Sequence, residues 1–441
     1  MPFGLERAAP AACRFITLVT DRMATTRHHK PDYQRVLHAL GPGVTTGAAD
    51  DDPSGVATYS IVGAQYGTSF LWSALLTWPL MAAVQMMCAR VGMVTGMGLA
   101  GALRERFPRW VVGLISLALL GANTINIASD LAGMGDAAQM LGGGPSGIYV
   151  WVFGLGICAL TVRLRYQQIA NVLKWLAVAL FAYVITAFLA RPHWGAVLHD
   201  TLLPTVPRES GALAALVAIL GTTISPYLFF WQAGQEVEEE KAKGRRLVSH
   251  TTRRDFSARR WDVGIGTFFS NLVMFFIILT TALTLHAHGI TAITTSKDAA
   301  EALRPLAGEY AYYLYTIGIL GTGLLAIPTL AGSAAYAFAE TFDWVYGLDE
   351  KFQNAISFYA VFIAATIGGG VLDLLRIKPM KALYWTAIVN GVLAPFLLLA
   401  LLLVANDRRV MRDQPSSRLS RATVGVTMVL MFAAAIGMFI F

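Results

Sequence analysis

The sequence predicts an all-α polytopic membrane protein of about eleven spans, built as two five-span repeats of opposite orientation with one span appended. Three observations carry this. Of 441 residues, 56% are hydrophobic and only 14% are charged, against about 25% charged in soluble domains. The apolar residues fall into stretches near the roughly 20 that a spanning helix needs. Two of these stretches, the first and the sixth, are each interrupted by a proline with polar neighbours, at Asp52-Pro53 and at Ser225-Pro226.

Residues 1–40 carry Arg7, Arg14, Arg22, Arg27, Lys30 and Arg35 with few acids. The apolar patch around Phe15 to Val19 is too short for a signal-peptide core, so this segment reads as a cytoplasmic tail. Span 1 runs from about Gly43 to Gly63 and contains Ala49-Asp50-Asp51-Asp52-Pro53-Ser54-Gly55. Spans 2 to 5 follow at about Phe70–Val94, Val111–Leu141, Ile148–Val162 and Ile169–Leu189, completing a first repeat over 41–190. A polar linker with three prolines, 191–210, is assigned to the extracytoplasmic side. Span 6, about Gly211 to Gln232, is broken at Thr222-Thr223-Ile224-Ser225-Pro226. The charged run from Gln235 to Trp261 reads as a solvated loop with a short amphipathic helix. Spans 7 to 10 lie at about Val263–Leu285, Tyr310–Phe338, Ala355–Leu375 and Ala382–Val404, giving a second repeat over 211–405. Residues 406–441 hold a basic loop and span 11, Thr423 to Phe441.

Lys and Arg set the orientation. The tail, the loops after spans 2, 4 and 6, and the loop containing Arg408, Arg409, Arg412, Arg418 and Arg421 all fall on one side. The positive-inside rule makes that side the cytoplasm. The net charge of +7 therefore reports topology, not affinity for nucleic acid. One loop runs against the pattern: Glu340, Asp343, Asp349 and Glu350 follow span 8, while Arg376, Lys378 and Lys381 fall outside. Cys13, Cys88 and Cys158 are odd in number and scattered, with neither a disulfide framework nor metal-ligand spacing.

Five spans per repeat is an odd number, so the second repeat enters the membrane from the opposite side. Interrupted helices in matching positions of inverted repeats point to a central binding site. A single Asp at the bilayer centre costs roughly 2.5–3.5 kcal/mol, and three cost on the order of 7–10 kcal/mol by the same count. Such a break is tolerated where it lines a wet cavity or meets a cation. The competing reading is a cap and turn outside the membrane, since Asp and Ser-Gly are ordinary residues there. Each break frees carbonyls at a half-helix C-terminus, near Gly47 to Ala49 and near Gly221 to Thr223, which favours a cation. Carboxylate, carbonyl and hydroxyl together are a hard oxygen ligand set, suited to Mg, Mn or Ca.

Several segments resemble the natural resistance-associated macrophage protein (Nramp) family of divalent-metal transporters. They are Gly41-Pro42-Gly43, Gly47-Ala48, Asp52-Pro53, the run Arg90 to Gly96, Asp130-Leu131-Ala132 and Ser225-Pro226. The resemblance covers spans 1 to 10 and implies a LeuT-type inverted repeat, alternating access, and a metal held between the broken helices. The family signature Asp-Pro-Gly-Asn stands here as Asp52-Pro53-Ser54-Gly55, so Asp52 takes the metal-binding carboxylate position and Gly55 replaces the ligand Asn. Met-Pro-His stands as Ser225-Pro226-Tyr227, so Ser225 replaces the thioether ligand. The main-chain carbonyls of Ala49 and Thr222 fall at the family's backbone-ligand positions. Asp50 and Asp51 read as solvated acids in the cavity wall or as direct ligands, and would add negative potential at its entrance.

These departures shape the expected function. A thioether favours transition metals; without it, and without the Asn, the site is harder and roomier, as in the Nramp-related magnesium transporter branch. Mg dehydrates reluctantly and keeps several waters. The family's proton relay uses a His, an Asp, a Glu and an Arg. Here Tyr227 stands for the His, Asp130 is kept, Gly133 stands where the Glu would be, and Ala355 to Leu374 holds no Arg or Lys. A phenol titrates at about 10 in water and relays protons poorly at neutral pH. Asp130 then reads as hydrogen-bonded packing among Asn123, Asn126 and Ser129.

The expectation is a secondary transporter in the cytoplasmic membrane, N-terminus inside, importing Mg2+ or Mn2+ without obligatory proton coupling. Its partners are divalent ions and the lipid bilayer; no resident cofactor, nucleic acid or obligate protein partner is implied. Three alternatives stand beside it. One is a proton-coupled Mn2+/Fe2+ transporter. Another is a transporter of the same architecture for an organic substrate, whose carboxylate the acidic cluster would repel. The last is a Mg-dependent membrane enzyme acting on diphosphates, which would need a second Asp-rich segment that the spans lack.

Overall fold

In the computed structural model, residues 42–163, 178–209, 211–242, 253–375 and 377–440 are described. The N-terminal tail, the first half of the expected span 5, and Arg376 lie outside them. Span 1 is two helices, α1 (Pro42–Asp50) and α2 (Pro53–Tyr66). Then come α3 (Leu71–Thr95), the short α4 (Leu99–Arg104), α5 (Arg109–Gly142) and α6 (Ser146–Arg163). The described end of span 5 is α7 (Phe181–Leu189). The expected linker carries its own helix, α8 (Trp194–Leu202). Span 6 is again two helices, α9 (Ala212–Thr223) and α10 (Pro226–Ala242). The remainder are α11 (Arg253–Thr284), the small α12 (Ser296–Ala300) and α13 (Arg304–Ala307), α14 (Ala311–Phe342), α15 (Ile356–Leu372), α16 (Pro379–Asn406) and α17 (Arg418–Ile440). Among the described residues, nine helical stretches are long and apolar enough to cross a membrane. The halved span 1 and the partly described span 5 are not among the nine.

The packing partners exchange between the two halves. α1 and α2 lie on α11, while α10 lies on α3. In the numbering of spans, 1 packs on 7 and 6 packs on 2, which is the swap that inverted five-span repeats require. α5 runs along α14, and each then contacts its own following span, α6 and α15. The two exchanged contacts are close. A Cβ on Gly47 of α1 would fall 2.4 Å from the Gly266 carbonyl oxygen of α11, and one on Gly92 of α3 would fall 2.5 Å from the Ala233 carbonyl oxygen of α10. Only glycine lets the backbones meet there, the usual device for packing helices in lipid.

Connecting segments sort onto two faces. On one, Asp343 after α14 pairs with Arg104 and, at 2.7 Å, with Arg109. Arg106 pairs with Asp407 after α16 at 2.7 Å, Glu340 accepts from Gly98 N at 2.6 Å, and Arg412 donates to the Thr95 carbonyl at 2.7 Å. On the other, Thr68 donates to Asp200, Trp72 Nε1 to the Thr205 carbonyl, and Ser296 N to Asp136. Asp343, after span 8, thus neutralises part of the basic loop after span 2, while Lys378 and Lys381 still run against the even alternation of spans.

The charged run after span 6 departs from expectation. Its described parts continue α10 and begin α11; Lys241, Arg260 and Trp261 are exposed as expected, but the face carrying Glu236 and Arg259 is buried. Arg259 is 8% exposed and Glu236 1%. Arg259 Nε meets Glu236 at 2.8 Å, its two terminal nitrogens reach Glu239 and Asp262, and Asp262 Oδ2 accepts from Gly43 N at 2.9 Å. One guanidinium serving several carboxylates through its fork of donors is what allows these charges to be buried.

Candidate metal site

Both breaks are two residues long and end at a proline. Asp51 and Asp52 separate α1 from α2, and Ile224 and Ser225 separate α9 from α10. Pro53 and Pro226, lacking an N–H, take the first helical position of the second halves. Asp52 is extended, with φ −67° and ψ 169°, and caps α2. Its Oδ1 accepts from Gly55 N and from Ser54 Oγ, both at 2.7 Å, and its Oδ2 from Asn126 Nδ2 at 3.0 Å. The carboxylate, 1% exposed, is held by two donors from its own turn and one from α5. One Oδ2 lone pair remains for a cation, because a carboxylate offers about four acceptor sites.

Ser225 acts on the other half. Its hydroxyl lies 2.9 Å from the Gly221 carbonyl and 2.7 Å from the Thr222 carbonyl, closing the C-terminus of α9. Tyr227 ties the halves together by donating its hydroxyl to the Ala49 carbonyl at 3.0 Å. The Ala49 and Thr222 carbonyls therefore both face the break and each accept one hydrogen bond; a carbonyl oxygen has a second lone pair. Gly55 faces across as well: a Cβ there would lie 3.1 Å from Thr222 Oγ1. Asp52, Gly55, Ala49, Thr222, Ser225, Tyr227 and the two prolines are thus gathered at one place, with Asp130 one step away through Asn126.

Asp50 and Asp51 are not solvated wall acids. Both are buried, and both lie against Ser270 of α11, Asp50 Oδ2 at 2.6 Å and Asp51 Oδ1 at 3.2 Å. They face the spans 1 and 7 seam. Among the described residues, no three His, Cys, Asp or Glu side chains converge as a ready-made metal cluster. The oxygens gathered at the break are one carboxylate with main-chain and hydroxyl oxygens, a set whose chemistry suits hard divalent ions.

Asp130 is buried, and its Oδ2 is 3.4 Å from Asn126 Nδ2. Asn123 turns instead to the Leu330 carbonyl and Ser333, and Ser129 to Thr386, so of the three expected neighbours only Asn126 bonds it. Asn126 bridges Asp52 and Asp130, and Asn390 Nδ2 lies 3.5 Å from its Oδ1. A Cβ at Gly133 would fall 3.0 Å from a Leu383 side-chain carbon. Sequence reasoning missed Asn126 as an Asp52 partner and Ser270 altogether. An Asn within a span was a usable signal for the first; a span serine is too common to single out the second.

A cavity of about 870 Å³ opens elsewhere, lined by Tyr66, Ile125, Trp385, Val389, Phe396 and Phe439 among others. It is apolar and none of the break residues line it.

A profile of the natural resistance-associated macrophage protein-like family matches residues 43–441. The divalent metal cation transporter MntH of Aeromonas hydrophila is 24% identical over 397 residues, 88% of this chain and 91% of that protein. The protein of the same name from Caldanaerobacter subterraneus subsp. tengcongensis is 25% identical over 397 residues, 88% and 90%. Among solved structures, the Eremococcus coleocola manganese transporter in complex with an aromatic bis-isothiourea substituted compound superposes with a TM-score of 0.72 at 18% identity, over 93% of this chain and 87% of that one. Mhp1, a nucleobase-cation-symport-1 family transporter, gives 0.50 at 15% identity, over 91% and 90%. At these identities the two structures speak for the fold alone, and it is the all-helical, LeuT-type transporter architecture.

Proposed function

The chain belongs to the natural resistance-associated macrophage protein-like family, and on that premise we propose that it imports divalent metal cations across the cytoplasmic membrane by alternating access. Its relatives are transporters, and the enzyme reading falls away. The observation that carries the proposal is the meeting of the two helix breaks: Asp52 from one, and from the other the Thr222 carbonyl and a Tyr227 hydroxyl bonded to Ala49. The named relatives carry divalent metals and manganese, which favours Mn2+ as cargo and sits better with the manganese branch than with a magnesium one. Magnesium remains as a second reading on one specific ground, the oxygen-only donor set left by Ser225 and Gly55.

The basic loops support a cytoplasmic N-terminus, and the proposed repeats run over 41–190 and 211–405 on either side of a linker at 191–210. Coupling to protons is taken as not obligatory, because Asp130 faces an amide, Gly133 faces Leu383, and the relay's Arg has no counterpart in Ala355 to Leu374. Uptake would then follow the membrane potential, about 2.3 kcal/mol per charge per 100 mV. The test is uptake into proteoliposomes of Mn2+, Mg2+, Ca2+ and Cd2+ side by side, with a pH-sensitive dye inside. Saturable divalent uptake without acidification supports the reading. Acidification that follows the metal and vanishes in Asp130→Ala shows coupled transport instead, and no divalent uptake ends the proposal.

A further inference from the structure

α16 carries an apolar face that the other described helices leave open. Trp385, Val389, Val392 and Phe396 recur along it at helical spacing and line the cavity of about 870 Å³ described above. α5 gives one wall, with Ala118 and Ile125, and the end of α17 gives another, with Phe439. The cavity opens sideways, since Trp385 is 54% exposed and Phe396 57%. It is a trough along the helix. From Trp385 to Phe396 α16 rises about 17 Å, and one leaflet of a hydrocarbon core about 30 Å thick takes about 15 Å. The trough is therefore as long as one leaflet's chains. Its wet end is marked by Gln65 and Tyr384, residue types at home where hydrocarbon meets headgroups. The same stripe of α16 then continues to Lys381 and Lys378. Lys381 precedes Tyr384 and Trp385 by three and four residues, which puts it on their face. Both lysines are exposed, and neither is ion-paired among the described residues. They are also the cations that run against the alternation of loop charge. On the opposite face of the molecule Arg106 and Arg109 are met by Asp407 and Asp343; no described acid meets these two. Arg208, on the α9 side of the mouth, adds a third exposed cation, while its neighbour Glu209 is close enough for its charge to act on the Tyr66 phenol. The rim is cationic on balance, and most so at α16.

We propose that the trough is a phospholipid site, taking one acyl chain of an anionic phospholipid whose headgroup phosphate sits at Lys378 and Lys381. The apolar walls account for the chain, and the unpaired lysines account for the headgroup. A charge pattern that makes no sense as a topology signal makes sense as half of a binding site. The inference does not depend on which ion the protein carries.

The test is native mass spectrometry of the purified full-length protein, stripped of lipid in detergent and titrated with phosphatidylglycerol or phosphatidylcholine of the same chains. Glycerol phosphate, which has the charge without the chain, is the soluble competitor. Wild type is expected to bind one phosphatidylglycerol at least about fivefold more tightly than phosphatidylcholine, the scale of one lysine near a charged headgroup. Lys378→Ala combined with Lys381→Ala should erase that preference and leave phosphatidylcholine binding unchanged. Ala118→Trp, at an exposed position facing the trough, should weaken both lipids, because the indole takes the place of the chain. Equal binding of the two lipids by wild type overturns the proposal. So does a preference that survives loss of both lysines, or lipid binding that Ala118→Trp leaves intact. Displacement of the lipid by an equal concentration of glycerol phosphate would show that the phosphate alone is recognised, and would remove the trough from the site. A dimer that excludes lipid and is lost in Ala118→Trp would assign the open face to a second copy of the chain and overturn the proposal as well.

Discussion

Asp52→Asn separates binding from folding. The carboxylate accepts from Ser54 Oγ, Gly55 N and Asn126 Nδ2. An Asn side chain keeps one oxygen for Ser54 and Gly55, so the cap on α2 survives. Its amide nitrogen would face Asn126 Nδ2, donor against donor. Asn126 can answer by flipping, which turns its nitrogen toward Asn390, and Asn390 can flip in turn. The folding cost is then one strained or lost hydrogen bond, about 1–2 kcal/mol. Binding suffers far more. At about 4 Å and an effective dielectric constant of about 20, one charge pair is worth about 4 kcal/mol, and a divalent ion doubles that. If half is offset by desolvation, about 4 kcal/mol remains, a loss of about a thousandfold in affinity. The assay is saturable Mn2+ uptake into proteoliposomes, beside a thermal unfolding curve in the absence of metal. Uptake within tenfold of wild type, from a variant as stable as expected, would refute the reasoning.

Other outcomes follow from the same geometry. Ser225→Met removes the hydroxyl that closes α9 and places a soft donor at the break, so Cd2+ affinity should rise relative to Mg2+ in a competition titration; an unchanged ratio counts against Ser225 as a ligand position. Arg259→Met leaves Glu236 and Asp262 buried, and the part-buried Glu239, without their cation, and stability should fall by about 3–5 kcal/mol, read as a lowered melting temperature. Hydrogen bonding to Arg104 holds the Asp343 carboxyl below its ordinary value, and Arg109 adds to this. Its contribution is therefore fully present above the ordinary carboxylate range and is lost as pH falls through the depressed value. The melting difference between wild type and Asp343→Asn should stay constant from about pH 7 to 5 and shrink only below about 4. A difference that fades between 7 and 5 would show that another group is responsible.

Much of the fold was legible in the sequence because lipid imposes a single-residue grammar: length and apolarity locate each span, and a proline beside acids locates a break. Thus α14 and α16 fall within a few residues of expectation. The α10–α11 run was read as solvated because its charges lie close in sequence, and nothing in their order says that Arg259 folds back onto Glu236 and Glu239. The site is a similar case. Asp52, Thr222 and Ser225 were visible as break residues, but the partners that orient them lie 74 residues away for Asn126 and 220 for the Ser270 that meets Asp50. The Thr222 carbonyl was legible from its position in a motif.

The arginine clasp between the loop after α3 and the end of α14 also sets a timetable. Arg104 and Arg109 precede Asp343 by 239 and 234 residues, and Arg106 precedes Asp407 by 301. At synthesis rates of about 5–20 residues per second, the loop waits roughly 10–60 seconds for its acids to emerge. During that interval α3 and α5 stand in the bilayer joined by an unneutralised cationic loop, which can rest against anionic lipid headgroups. The nascent first half is in this sense an unfinished object, and this face of it is sewn shut only when the last third of the chain arrives.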